Sequence, residues 1–116
     1  MAKWEFVDWL FYWLLETSLF EFEWDRGNST KSANKHGIGI EEIETVFQSG
    51  MALPLGIQIS PEVNEQRLGI VGPTIERKIL HIVFVLREGK VRVISGRIAH
   101  KKERKQYEEI LRKISK

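Results

Sequence analysis

The stretch from Ile79 to Leu86, ILHIVFVL, constrains the fold more than any other part of the chain. It is nearly all apolar and too short for a typical helix, so it reads as a central strand buried on both faces. Glu88-Gly89 follows as a hairpin turn, and Val91 to Arg97 forms the next strand. A shorter strand, Arg67 to Val71, precedes the run and ends at Gly72-Pro73. The C-terminal half is thus built around antiparallel strands.

The rest of the chain supplies helices and one further strand. From Leu19 to Trp24, Phe20, Phe22 and Trp24 alternate with Glu21 and Glu23, the pattern of a half-buried strand. Asp25-Arg26-Gly27-Asn28 breaks that pattern. Ser29 or Thr30 is placed to cap a short helix to His36, and Gly37 to end it in a left-handed C-cap. A second helix is expected over Ile40–Phe47, with Ile40, Ile43, Val46 and Phe47 on one face and Glu41, Glu42 and Glu44 toward water. Residues 51–64 contain Pro54, Gly56 and Pro61 and read as a loop with at most a short strand. A charged helix from about Lys101 to Ile114 carries an apolar stripe of Tyr107, Ile110, Leu111 and Ile114. The expected order is β-α-α-β-β-β-α, an α+β domain with a small antiparallel sheet over residues 19–116.

Residues 1–18 are read as an apolar, aromatic N-terminal helical extension. Glu5, Asp8, Tyr12 and Glu16 fall at helical spacing and leave a broad greasy face. The uncharged run Trp9–Leu15 falls far short of the roughly 20 residues that span a bilayer. Acidic residues and the lack of a small-residue cleavage site fit a signal peptide poorly. A helix packed on the domain, a partner-docking or membrane-surface helix, and a non-native extension remain, with packing or docking favoured because so much exposed apolar surface is an association site.

Charge is split along the chain. Residues 1–65 hold 4 Lys/Arg and 11 Asp/Glu, and residues 66–116 hold 14 Lys/Arg and 5 Asp/Glu. A polarity of this kind suits a basic surface for a polyanion, or two halves that neutralise one another in the fold. The chain has no cysteine, which removes disulfides and thiolate metal sites and is compatible with a reducing compartment.

Six short blocks, taken in order, resemble the BrnT family. They are Phe22-Glu23-Trp24-Asp25; Lys35-His36-Gly37; Glu41-Glu42 with Val46-Phe47; Glu65-Gln66-Arg67; Val93 to Ala99, similar to an "ISxRxA" strand end; and Lys102-Glu103-Arg104 with Tyr107-Glu108, similar to "KERxxYE". The resemblance runs from Phe22 to about Glu109. Gly96 stands where the family usually has Ala, His100 where Ser or Thr is common, and the 49–64 loop has no close match. The resemblance implies a RelE-like fold and a cytoplasmic ribonuclease toxin. It also implies a BrnA-like antitoxin that covers the toxin, with a symmetric assembly of two toxins and two antitoxins as the expected form, and contact with DNA only through that antitoxin.

RNA supplies its own nucleophile, the 2′-hydroxyl. Cleavage needs a group to take its proton, an acid for the leaving 5′-oxygen and cations for the phosphorane charge. No metal or other cofactor is required, so transfer to a 2′,3′-cyclic phosphate is expected. Arg97, at a strand end, is the first candidate to grip the phosphate; its alternative is a salt bridge. Arg67 is a second cation, or a partner of Glu65. Lys35 suits phosphate contact or acid. His36 suits acid–base work, or simply a helix C-terminus. Glu42, or Glu41, is a candidate base, or a solvated helix face. Ser95, His100, Lys101 and Arg104 are candidate RNA contacts, and Tyr107 either stacks a base or packs in the core. Beside the endoribonuclease stands a second reading, a non-catalytic toxin-like module that only binds antitoxin or RNA. A membrane-surface role is a distant third.

Overall fold

The computed structural model describes residues 3–28 and 37–114. Strands β1 (Lys3–Glu5), β2 (Leu53–Ser60), β3 (Leu68–Pro73), β4 (Ile79–Arg87) and β5 (Lys90–Ile98) form one antiparallel sheet in that spatial order. Among the described residues, helices α1 (Asp8–Glu16), α2 (Ile40–Gln48) and α3 (Lys101–Ile114) accompany it. The architecture is α+β.

The apolar run behaves as its composition demands. Residues Leu80 to Val85 of β4 are all buried, between β3 and β5. Glu88 and Gly89 both take positive φ, 53° and 79°, the pairing that a tight two-residue hairpin requires. One face of the sheet carries Leu68 and Ile70, Leu80, Ile82 and Phe84, and Val91 and Val93 into the core. Helices α1 and α2 close that face. Ile43, Val46 and Phe47 of α2 are buried, and Leu10 of α1 is fully enclosed. Trp13 stacks on Phe84 at 5.8 Å and meets Phe20 and Phe47 edge-on.

The N-terminus differs from the expected single helix over 1–18. Residues 3–5 are a strand, and the helix begins only at Asp8. The free edge of β2 offers unpaired backbone groups, and Trp4 and Glu5 pair there with Gln58 and Ile57. Hydrogen bonding at an open sheet edge outweighs helical periodicity over so few residues. The expected loop over 51–64 is likewise largely strand β2. Its Pro54 and Gly56 sit at a bulge in the pairing with β3, a place where a sheet accommodates such residues.

Three smaller differences follow from local hydrogen bonding. Residues 19–24 form no extended ladder. A single parallel bridge joins Phe22 to Val91, with the Glu23 amide donating to the Val91 carbonyl and the Val91 amide to the Glu21 carbonyl, both at 2.8 Å. Helical residues begin at 26–28, before the expected caps. Asp25 Oδ1 accepts from the Asn28 amide while Asn28 Oδ1 accepts from the Asp25 amide, a reciprocal cap. The rest of the helix expected up to His36, with Lys35 and His36 themselves, falls outside the described residues. On α2, Glu44 accepts a 2.7 Å hydrogen bond from the Trp24 indole and Glu42 pairs with Lys78, so only Glu41 faces open water.

Gly56 holds the N-terminal strand in place. Its φ is 124°, and a Cβ there would lie 1.9 Å from the Glu5 carbonyl oxygen. Gly56→Ala is expected to cost about 1–3 kcal/mol through backbone strain and the displacement of β1. Urea titration measures it, and an unchanged midpoint would mean that β1 does not dock as described.

Candidate active site

The second face of the sheet carries the polar groups. In β5 the pairing slips by one residue between Val83 and Phe84. Phe84 pairs with Val93, but Val83 pairs with Ser95, leaving Ile94 as the extra residue of a bulge. Val91 and Val93 point into the core. Without the bulge, strict alternation would send Ser95 and Arg97 there as well. With it, both turn to the opposite face, and Arg97 stands directly across from His81. Gly96 takes the core side, where a Cβ would press to 3.0 Å from Ile43 Cδ1. The close approach of α2 explains why glycine fits here.

Helix α3 brings the third member. His100 precedes its first turn, and Glu103 reaches back to accept the His100 amide at 2.8 Å, half of a capping box. The same carboxylate takes both ends of the Arg97 guanidinium, at 2.8 and 2.9 Å. It also lies 3.8 Å from His81 Nε2. Arg97 gives one more hydrogen bond to the Ile98 carbonyl at 3.3 Å. Its Nε–H and one Nη2 hydrogen remain free for a ligand. On the other side of His81, the Trp4 ring of β1 lies 5.9 Å away at a tilt of 59°.

The electrostatics sort these groups. Burial, reinforced by the Arg97 charge, holds His81 below the usual imidazole range against the opposing pull of Glu103. His81 is therefore a neutral imidazole at pH 7. Burial alone would raise Glu103, but the Arg97 hydrogen bonds, the His100 amide and the nearby positive charges together bring it down to about 2. The cluster thus holds a fixed cation, a fixed carboxylate and a neutral base between them.

Of the residues singled out in the sequence, Arg97 and Ser95 share this face, and His100, Lys101 and Arg104 lie at the adjoining start of α3 with exposed side chains. Arg67 is not brought in. It precedes β3, four residues before Val71, the cross-strand neighbour of His81. That separation is about 13 Å along the strand. Glu42 is on α2, on the far side of the sheet, tied to Lys78 at 2.9 Å. Tyr107 is buried, its hydroxyl donating to the Met51 carbonyl at 2.6 Å, and burial pushes its pKa up to about 12. The ring is packed away rather than offered to a base. His81 and Glu103 are the residues that sequence reasoning missed. The signal for His81 was present: one titratable side chain inside an otherwise apolar strand, which has to be either partnered or functional.

Charge pairing accounts for part of the split between the two halves. Arg92 holds Glu23 and Asp25, and Arg87 holds Glu65 and Glu23. The described ion pairs include none of Lys101, Lys102, Arg104 or Lys105, all exposed along α3 beside the cluster. Among the described residues no three of His, Cys, Asp and Glu gather as a metal-ligand set, and no helix is long and apolar enough to cross a membrane.

An arginine, a histidine and a carboxylate thus converge on one face of a small antiparallel sheet, beside a basic C-terminal helix, in an α+β protein. Residues 24–103 match the family described as ribonuclease toxin, BrnT, of type II toxin-antitoxin system. The match covers well over half of the chain, and the protein belongs to the BrnT family. A search of curated proteins finds no match.

The cluster makes folding sensitive to acid. The unfolded chain protonates Glu103 near 4.5, while the fold resists until about 2. The stability Glu103 lends is therefore full above 4.5 and lost as pH falls toward 2. His81 acts in the same direction from higher pH, because the unfolded state takes up its proton near 6.5, before the folded state does. Thermal midpoints are expected to decline below about pH 6.5 and steeply below 4.5. Glu103→Gln should lower the midpoint at pH 7 and flatten the decline between 4.5 and 2. A variant with the wild-type slope would assign that loss to other carboxylates.

Proposed function

We propose that the protein is a metal-independent endoribonuclease that cleaves RNA by attack of the 2′-hydroxyl on the adjacent phosphate. The observation that carries this reading is the convergence of His81, Arg97 and Glu103 on one face of the sheet. His81, kept neutral by burial, takes the 2′-hydroxyl proton. Arg97 uses its free N–H groups to hold the phosphate and stabilise charge on the phosphorane. Glu103 positions Arg97 and steadies the imidazolium that forms on His81. Lys101, Arg104 and His100 line the approach and bind RNA backbone, while Ser95 donates to a phosphate oxygen beside Arg97. Lys35 or His36 supplies the acid for the leaving 5′-oxygen. Products are a 2′,3′-cyclic phosphate and a free 5′-hydroxyl.

Membership of the BrnT family supports the biological setting. RNA cleavage in the cytoplasm inhibits translation and growth, and a BrnA-like antitoxin neutralises the toxin in an assembly of two copies of each. The exposed cations of α3 fit an acidic antitoxin segment that covers them. DNA contact belongs to the antitoxin.

The test is cleavage of a labelled single-stranded RNA in EDTA. The wild type is expected to leave 2′,3′-cyclic phosphate ends. Arg97→Ala should lower kcat/KM by about 10²–10³-fold and His81→Gln by about 10²–10⁴-fold, both with a folded circular-dichroism spectrum. A wild type that cuts neither free RNA nor ribosome-bound mRNA would instead support a module that only binds antitoxin or RNA.

A further inference from the structure

The N-terminal strand lies outside the family match, yet it reaches the proposed site. Gly56 and Gly69 are cross-strand neighbours in β2 and β3. A Cβ on Gly56 would strike the Glu5 backbone, and one on Gly69 would lie 2.8 and 2.9 Å from Cζ3 and Cη2 of Trp4. The two glycines leave a floor without side chains, and β1 and the Trp4 ring lie across it. Gly69 pairs with Val83, two residues from His81 on the same face. The indole thus crosses β3 and ends against His81 of β4. The ring therefore ends at the one titratable side chain within the apolar run 79–86.

We propose that Trp4 is a positioning residue of the ribonuclease site: its ring walls one side of His81, fixes the imidazole orientation and keeps water away from it. The proposal rests on the ribonuclease reading of the cluster. The other groups facing His81 are Arg97 from β5, Glu103 from α3 and His100 just before α3. Those three set the charge around the imidazole. Trp4 contributes no charge; it supplies dryness and shape. Removing the ring admits water on the β1 side and makes the imidazolium easier to form. The base is then protonated over a wider range of pH and less firmly aimed at the 2′-hydroxyl.

The test uses the full chain with Trp4→Leu and Trp4→Phe. His81 is titrated by NMR in the absence of RNA, its resonance assigned by its disappearance in His81→Gln. Cleavage of a labelled single-stranded RNA is then followed against pH. Trp4→Leu is expected to move the His81 titration and the acidic limb of kcat together to higher pH, and to lower kcat about 10–100-fold with KM little changed. Trp4→Phe should restore most of both. In the wild type, cross-relaxation between Trp4 and His81 ring protons should be visible, a readout that holds even if Trp4→Leu does not fold. Missing cross-relaxation, or a His81 titration unmoved in folded Trp4→Leu, overturns the proposal while leaving the ribonuclease reading intact. A wild type without cleavage removes that reading, and the catalytic role of Trp4 with it, even if the His81 titration still answers to Trp4.

Discussion

One extra residue in β5 decides which side of the sheet Arg97 serves. Up to Val93 the strand alternates in step with β4, and its odd-numbered valines enter the core. The bulge at Ile94 inverts the alternation. Arg97 leaves a face closed by α1 and α2, where a guanidinium could not be solvated, and joins His81 on the other. Burying the charge on the core side without a partner would cost several kcal/mol. The bulge is thus a requirement of the fold as well as of the site.

Glu103 then ties together elements that the chain keeps apart. It caps α3 through the His100 amide, clamps Arg97 on β5 and stands beside His81 on β4. Tyr107 is its only buried residue among those described, while Ile110 and Ile114 remain about half exposed. The Glu103 clamp and the Tyr107 hydrogen bond to Met51 tie the basic helix, and with it Lys101 and Arg104, to the sheet and to the segment before β2.

The charge polarity of the sequence has two structural uses. Arg87 and Arg92 answer acidic residues from the N-terminal half and fasten the loop segments around the β4–β5 hairpin. Pairs this exposed contribute little to stability. The cations of α3 have no such partners in the described ion pairs, and they create the basic field next to the cluster. Internal neutralisation therefore accounts for the hairpin arginines, while the cations of the last helix stay outside the described ion pairs.

Composition and periodicity by themselves determined the central strand over 79–86, the hairpin at Glu88-Gly89, the amphipathic helix that became α2 and the charged final helix, because each depends on neighbours close in sequence. The family resemblance, carried in contiguous blocks of sequence, pointed to Arg97. Only the tertiary structure decided the rest. Whether residues 3–5 join a helix or a strand depended on the free edge of β2, a segment about fifty residues away. Whether 53–60 is loop or strand depended on where a bulge could absorb Pro54 and Gly56. The odd-numbered alternation of Val91, Val93, Ser95 and Arg97 looked uniform in sequence, and the extra residue became visible only against the register of β4. For the same reason Arg67 and Glu42, plausible by residue type, fell away from Arg97, while His81 and Glu103 joined it. A site assembled across strands and a helix is set by register and packing, which act between residues distant in the chain, and one sequence read in order does not contain those distances.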